Sequence, residues 1–188
     1  MKKLRFGLLG IIAIMLTAHA ALEAGDDAPL FAAKASLDGK AFDFSLADAL
    51  QDGVVVVYFY PSAYTSGCNI QAHEFSVNMD GFKAAGASVI GVSLDSIERL
   101  NDFSADPEYC AGKLAVASDP SGEIAKSYGL NVHDAVPDAK DSRGVEIGHG
   151  FAERVTFIVT PDGKVAATIG GVSPMENVQM SLKAVQQL

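Results

Sequence analysis

One uninterrupted apolar run, residues 54–60 (VVVVYFY), constrains the fold of this chain more than any other segment. Its β-branched and aromatic side chains, without polar alternation, are typical of a strand buried on both faces, as in α/β proteins. Pro61 ends the strand because proline cannot donate to a sheet ladder. Cys68 follows seven residues later, where a helix is predicted to begin. A helix N-terminus stabilises a thiolate, so this position suits a reactive cysteine.

The rest of the chain alternates between strand and helix patterns. In chain order we predict a hairpin with an Asp-Gly turn (35–44), a helical turn (45–50), the strand above, a helix (66–85), a strand (87–94), a helix (96–105), a short strand (114–117), a helix (119–128), a long polar loop (131–150), a hairpin (154–169) and a last helix from Ser173. This order predicts an α/β protein with a thioredoxin-like fold. Its central sheet would be mixed, with helices on both faces and an N-terminal β-hairpin extension.

Residues 1–20 have the organisation of a cleaved signal peptide. Three basic residues precede an apolar stretch at 6–17, and Ala18 and Ala20 form a small-x-small cleavage site. We therefore expect the mature chain, 21–188, to be a single domain that is periplasmic or secreted. An uncleaved membrane anchor is the alternative.

Composition excludes several classes of function. Loss of the three basic residues of the leader changes the formal net charge from −9 to −12, which disfavours binding to nucleic acid or to anionic membranes. The two cysteines, Cys68 and Cys110, form no CxxC motif, so neither a dithiol oxidoreductase nor a zinc knuckle is predicted. No group of residues has metal-ligand or phosphate-binding spacing, and we expect no metal and no cofactor. The two histidines of the long loop, His133 and His149, are expected to be surface residues.

A second candidate site residue, Arg154, lies directly before the predicted strand that opens the second hairpin. Near Cys68 it would supply a positive charge that favours the thiolate and a fixed set of N–H donors. An ordinary arginine at a strand end is the alternative for this residue, and a small buried hydrophobe is the alternative for Cys68.

The motif Pro61-x-x-x-Thr65-x-x-Cys68 resembles the active-site pattern of the peroxiredoxins. Segments similar to other blocks of that family are Gly25–Pro29, Tyr58–Pro61, Gly91–Ser96, Ser118–Gly122 and Arg154–Phe157. The residues from 59 to 72 are most similar to the bacterioferritin-comigratory-protein branch, also called PrxQ. The resemblance covers nearly the whole mature chain.

This resemblance implies a role for each residue of the motif. Cys68 would be the peroxidatic nucleophile that becomes a sulfenic acid, and Thr65 would hydrogen-bond the thiolate or the peroxide. Pro61 would shield the pocket from water, and Arg154 would hold the thiolate and stabilise charge on the leaving oxygen. A purely structural role is open for two of them: Thr65 as a helix cap and Pro61 as a strand stop.

The chain departs from the branch where many members carry a resolving cysteine, five residues after the peroxidatic one. His73 stands there and cannot form a disulfide. Cys110 is a possible resolving cysteine; the alternative is a one-cysteine mechanism in which an external thiol resolves Cys68.

The resemblance predicts an exported thiol peroxidase for hydrogen peroxide and organic hydroperoxides, recycled by a thioredoxin-like protein or a small thiol. It also predicts a monomer or weak dimer. A non-catalytic peroxide sensor and another thioredoxin-fold thiol-disulfide protein are the alternatives.

Overall fold

The computed structural model describes residues 20–188. The predicted signal peptide, apart from Ala20, lies outside the described residues. Across the described part of the chain, no helix has the length and apolar character needed to cross a membrane.

The structure contains nine strands and five helices within residues 20–188. The strands are β1 (Ala32–Leu37), β2 (Lys40–Ser45), β3 (Val54–Phe59), β4 (Ala87–Ser93), β5 (Ala115–Ser118), β6 (Val132–His133), β7 (Phe151–Ala152), β8 (Val155–Val159) and β9 (Val165–Gly170). The helices are α1 (Leu46–Asp52), α2 (Ser66–Ala84), α3 (Ile97–Ala105), α4 (Glu123–Ser127) and α5 (Pro174–Val185).

Seven strands form one mixed sheet in the order β2-β1-β5-β4-β3-β8-β9. β3, β4 and β5 are parallel, whereas the remaining pairs are antiparallel. The N-terminal hairpin joins this sheet through β1, and its turn residues Asp38 and Gly39 have φ angles of +51° and +74°. These left-handed values are those of a type I′ hairpin turn, for which Asp-Gly is a favoured pair. The predicted thioredoxin-like fold with its N-terminal hairpin is confirmed.

The apolar run at β3 is explained by burial on both faces of the sheet. Val56 and Tyr58 face a cluster formed with α2, α3 and α5, while Val55 and Val57 face a second cluster formed with α1 and α4. A strand covered on both sides has no polar face, which is why its sequence shows no alternation.

The segment predicted as a long loop, 131–150, is partly ordered by backbone pairing. β6 pairs antiparallel with β7, and Lys140 forms an isolated bridge with Glu146. The segment also reaches the loop between β3 and α2, where the Ser142 N–H donates to the Tyr64 carbonyl at 2.9 Å. It therefore lies against the part of the chain that carries the predicted active-site motif.

Candidate active site

Cys68 lies in the first turn of α2, where the chain leaves the carboxyl end of β3. Its side chain is buried, with only 2% of the residue exposed. No side chain caps α2, so the backbone N–H groups of its first turn remain available to an anionic ligand.

Arg154 lies beside the sulfur because of the register between β3 and β8. Phe59 pairs with Val155, so the residue before Val155 is placed next to the end of β3 and the start of α2. Its Nη2 donates to the Cys68 Sγ at 3.3 Å. The structure thus brings together two residues that are 86 positions apart in sequence.

A buried polar network holds the Arg154 guanidinium in place. Its Nη1 donates to Oε1 of Gln71, which is fully buried, and Gln71 Nε2 donates to Asn177 Oδ1 at 2.9 Å. Asn177 also accepts from the Thr156 hydroxyl at 2.6 Å and donates to the Ile169 carbonyl at 3.0 Å. Sequence reasoning missed Gln71 and Asn177. Gln71 carried a signal, since it lies three residues after Cys68 and so shares its helix face.

Gly67 leaves room for the arginine. A Cβ atom on this residue would lie 3.1 Å from Arg154 Nη2, which is closer than ordinary contact. A larger residue would push the guanidinium away from the sulfur.

Thr65 occupies the N-cap position of α2 but does not cap the helix. Its hydroxyl donates to the Ser62 carbonyl at 2.8 Å. Because a hydroxyl has one proton, its oxygen is left as an acceptor toward any ligand.

Pro61 is half-buried and begins the loop that joins β3 to α2. The catalytic roles of Thr65 and Pro61 stay predictions.

Asp95 accepts hydrogen bonds from the loop that joins β3 to α2. Sequence reasoning did not single out this residue. The carboxylate is fully buried and lies just beyond the carboxyl end of β4. It accepts from the Ser62 hydroxyl at 2.8 Å and from the Ala63 N–H at 2.7 Å. An acidic residue at the carboxyl end of a buried parallel strand was the available signal.

Cys110 lies in a very different environment from Cys68. It is completely buried in the turn after α3, and both cysteines are free thiols. Burial, aided by the nearby Asp106 carboxylate, raises the pKa of the Cys110 thiol well above its usual range. His73 is exposed on α2, and its Nδ1 lies 3.0 Å from the Glu108 carbonyl, so it holds this turn against the helix.

Between residues 20 and 188, no group of three or more histidine, cysteine or acidic side chains is arranged to hold a metal ion. The functional groups at this site are the Cys68 thiol, the Arg154 guanidinium and the backbone N–H donors of the first turn of α2.

Comparison with known proteins identifies the group to which this site belongs. The model of the AhpC/TSA family matches residues 24–168. Peroxiredoxin Bcp of Escherichia coli K12 is 34% identical over 144 residues, which cover 77% of this chain and 83% of that protein. The chain belongs to the peroxiredoxin family.

Further matches define the branch and support the fold. A peroxiredoxin relative from Mycobacterium tuberculosis is 35% identical over 150 residues, covering 80% of this chain and 86% of that protein. The structure of peroxidoxin BcpB from M. tuberculosis has a TM-score of 0.74 at 24% identity and covers 89% of this chain and 98% of the other. A PrxQ mutant of Xylella fastidiosa gives a TM-score of 0.72 at 21% identity, with the same coverage. This peroxiredoxin is therefore a thiol peroxidase of the Bcp/PrxQ branch.

Proposed function

We propose that the protein is exported and reduces hydrogen peroxide and organic hydroperoxides through Cys68. The observation that carries the proposal is the 3.3 Å contact between Arg154 Nη2 and the Cys68 sulfur at the start of α2. A guanidinium and a helix N-terminus both favour the thiolate, which is the form of cysteine that attacks peroxides.

The first half of the reaction is a two-electron transfer at sulfur. The Cys68 thiolate attacks one peroxide oxygen, an S–O bond forms and the O–O bond breaks. The other oxygen leaves as hydroxide or alkoxide and takes up a proton to become water or an alcohol. Cys68 is left as a sulfenic acid.

Three neighbours serve this step. Arg154 stabilises negative charge on the leaving oxygen, and the Thr65 oxygen accepts a hydrogen bond from the peroxide O–H. Pro61 covers one side of the pocket and limits water. These assignments follow the motif, and the role of Arg154 is also supported by its 3.3 Å contact with the Cys68 sulfur.

For the second half, we favour resolution by an external thiol. An incoming thiolate attacks the Cys68 sulfenic acid, releasing water and forming a mixed disulfide, and a second thiol then frees Cys68. A thioredoxin-like protein or a small thiol would supply both equivalents. Cys110 is a weaker candidate because its buried thiol has a raised pKa and must be exposed before it can attack.

An apolar groove supports the inclusion of organic hydroperoxides. It has a volume of about 350 Å³ and is lined at one end by Asn69, the residue that follows Cys68 in the chain. Ile70, Tyr109 and Met175 give it an apolar wall that suits the hydrocarbon part of a substrate, and the polar His73, Glu74 and Glu108 complete its lining. Ile70→Asn should raise KM for cumene hydroperoxide about three- to tenfold and leave hydrogen peroxide unaffected. Equal effects on the two substrates would remove this argument.

The decisive test of the reaction is peroxide consumption by purified protein with dithiothreitol as the reductant. Cys68→Ser should lose turnover completely, and Cys110→Ser is the matched control that retains the oxidation step. An unchanged rate in Cys68→Ser would contradict the proposed nucleophile.

The mode of recycling is tested by intact mass after one equivalent of hydrogen peroxide, without reductant. Added oxygen in both wild type and Cys110→Ser supports the one-cysteine route. Loss of two hydrogens in wild type alone would instead make Cys110 the resolving residue.

Export and assembly are tested separately from chemistry. Mass analysis of the protein recovered from cells should show a chain that begins at Ala21, located outside the cytoplasm. A chain that keeps residues 1–20 would favour the membrane-anchor alternative. Sedimentation should show a monomer or a weak dimer.

A further inference from the structure

The loop that leads into Cys68 is attached to a buried carboxylate with an unusually complete set of donors. Besides the Ser62 hydroxyl and the Ala63 N–H, Asp95 accepts from the Ser93 hydroxyl at 2.7 Å. His149 completes the set, with its Nε2 lying 2.9 Å from Asp95 Oδ1. Asp95 therefore connects His149 to the loop that precedes α2.

The contacts of His149 favour one charge state. Its Nδ1 lies 2.7 Å from the Gly150 carbonyl oxygen, which can only accept. Its Nε2 faces Asp95, which also accepts because it is ionised. Burial opposes that ionisation, but hydrogen bonds from His149, Ala63 and Ser93 outweigh it and hold the pKa of Asp95 below its ordinary 3.8. A neutral imidazole has one N–H and can satisfy only one of these two acceptors. The geometry fits the doubly protonated imidazolium.

The other charged groups around Asp95 belong to α3 and to the 131–150 segment. Arg99 Nε lies 2.9 Å from Asp95 Oδ1, and its Nη2 donates both to the Ala63 carbonyl and to Asp141, each at 2.8 Å. Arg99 is a like charge for His149, so it opposes protonation of the imidazole.

Asp141 extends the same cluster across the active-site loop. It accepts from Arg143 Nη2 at 3.0 Å, and the Arg143 guanidinium carbon lies 3.2 Å from the centroid of the Tyr64 ring. Tyr64 has a φ of +61°, a left-handed conformation that a bulky residue adopts only when its surroundings enforce it. The loop conformation thus depends on contacts from this cluster.

We propose that His149 is a positioning residue whose imidazolium form, acting through Asp95, holds the loop before α2 in the conformation that aligns Thr65 and Cys68 for attack on peroxide. The inference rests on the proposed role of Cys68 as the nucleophile. Loss of the His149 proton removes one of its two hydrogen bonds and loosens the loop.

The direction in which pH affects the loop follows from the direction in which the pKa of His149 is shifted. Burial lowers the pKa of His149, but the hydrogen bonds to Asp95 and Gly150 outweigh burial and raise it above its ordinary 6.5. A raised pKa in the folded state means that the charged form contributes fully below about pH 6.5 and is lost as pH rises through the folded value. The loop is therefore held best at mildly acidic pH.

The test combines imidazole NMR with single-turnover oxidation of Cys68 by hydrogen peroxide across pH. In the wild type, both His149 nitrogens should be protonated at pH 6, and the oxidation rate should fall about three- to tenfold with the midpoint measured by NMR. His149→Gln keeps one donor but does not titrate. At pH 6 this variant should oxidise Cys68 more slowly than wild type by a similar factor. Its rate should not show the fall that the wild type shows as pH rises. His133→Gln, at an exposed histidine on β6, should behave like wild type.

The outcomes separate this inference from the proposed function. A neutral His149 at pH 6, measured on the wild type without any variant, contradicts the inference even if peroxide is reduced. A His149→Gln profile that still shows the wild-type fall as pH rises also contradicts it, because a merely structural role would lower the rate equally at every pH. A wild type whose Cys68 is not oxidised by peroxide contradicts the proposed function and this inference with it.

Discussion

Cys68 and Cys110 are both buried, both free and both part of the same hydrophobic cluster, yet the charges around the two sulfurs differ. Cys68 has a guanidinium at 3.3 Å and lies at an uncapped helix N-terminus. Cys110 lies in a turn, where burial, with a smaller effect of the nearby Asp106 carboxylate, raises the pKa of its thiol. Because both thiols are buried, the difference in reactivity that we expect between them must come from the sign and position of the nearest charge.

The contrast between the two cysteines depends most strongly on Arg154. Replacing it with Met should lower the second-order rate of Cys68 oxidation by about 10²–10³-fold, because the thiolate and the leaving oxygen both lose their cationic partner. Stopped-flow oxidation by hydrogen peroxide measures this rate directly.

Arg154→Lys is the matched control for that variant. Lysine keeps the charge but lacks the planar set of donors that contacts sulfur and Gln71 together, so an intermediate rate is expected. Equal rates for Arg154→Met and wild type would show that the helix N-terminus suffices without the guanidinium.

The sequence predicted the segment that carries Cys68 better than it predicted the position of Arg154. β3, the stop at Pro61 and the start of α2 follow from local signals: an apolar run, a proline and small polar residues. The approach of Arg154 to Cys68 depends on the β3–β8 register. The sequence marked Arg154 as a candidate, but only the resemblance to a family implied its contact with Cys68. Nothing local could supply it, because the strands that pair are about 100 residues apart.

Buried polar support was the part that sequence reasoning did not find. Gln71 and Asn177 are 106 positions apart, and Asp95 and His149 are 54 apart. A polar residue on a helix or after a strand is normally assigned to solvent, and only the packing of distant elements shows that these are enclosed. The sequence favours a surface position for His149 in a long loop, and the structure corrects this: its side chain is 20% exposed and is hydrogen-bonded to Asp95.

A smaller effect is expected when the support of Arg154 is removed. Gln71→Leu keeps the approximate side-chain volume but removes the acceptor for Arg154 and the donor to Asn177. The oxidation rate should fall about tenfold, and the free energy of unfolding should fall by about 1–3 kcal/mol because buried partners lose their hydrogen bonds. Kinetics and urea titration measure the two effects.

Asn78→Leu, on the same helix, is the matched control for Gln71→Leu. The Asn78 side chain is half-buried and donates only to the Glu74 carbonyl within α2, almost three helical turns beyond Cys68. This variant should leave the oxidation rate within about twofold of wild type, since it touches neither Arg154 nor its partners. A similar loss of rate in both variants would attribute the effect of Gln71 to general weakening of α2.

Gly67→Ala tests how closely the guanidinium must approach. The added methyl would lie 3.1 Å from Arg154 Nη2, so the arginine must shift by a few tenths of an ångström. We expect a loss of about two- to fivefold in oxidation rate, with stability little changed because alanine is favoured within a helix. Ser66→Ala, at the exposed neighbouring position, is the control. An unchanged rate in Gly67→Ala would mean that the arginine has room to retreat without cost.

Replacing Cys110 should have the smallest effect on the oxidation rate of Cys68, but it should lower the stability of the fold. Cys110→Ser places a hydroxyl where the side chain is completely buried, so the free energy of unfolding should fall by about 1–3 kcal/mol unless the hydroxyl finds a partner. Cys110→Ala, which adds no polar group, separates the cost of the hydroxyl from that of the lost sulfur. Both variants should oxidise Cys68 at the wild-type rate, because the pKa of Cys110 keeps it a neutral thiol during the first step. A tenfold slower oxidation in both, at wild-type stability, would show that the second thiol takes part in peroxide attack, and the contrast between the two cysteines would then be wrong.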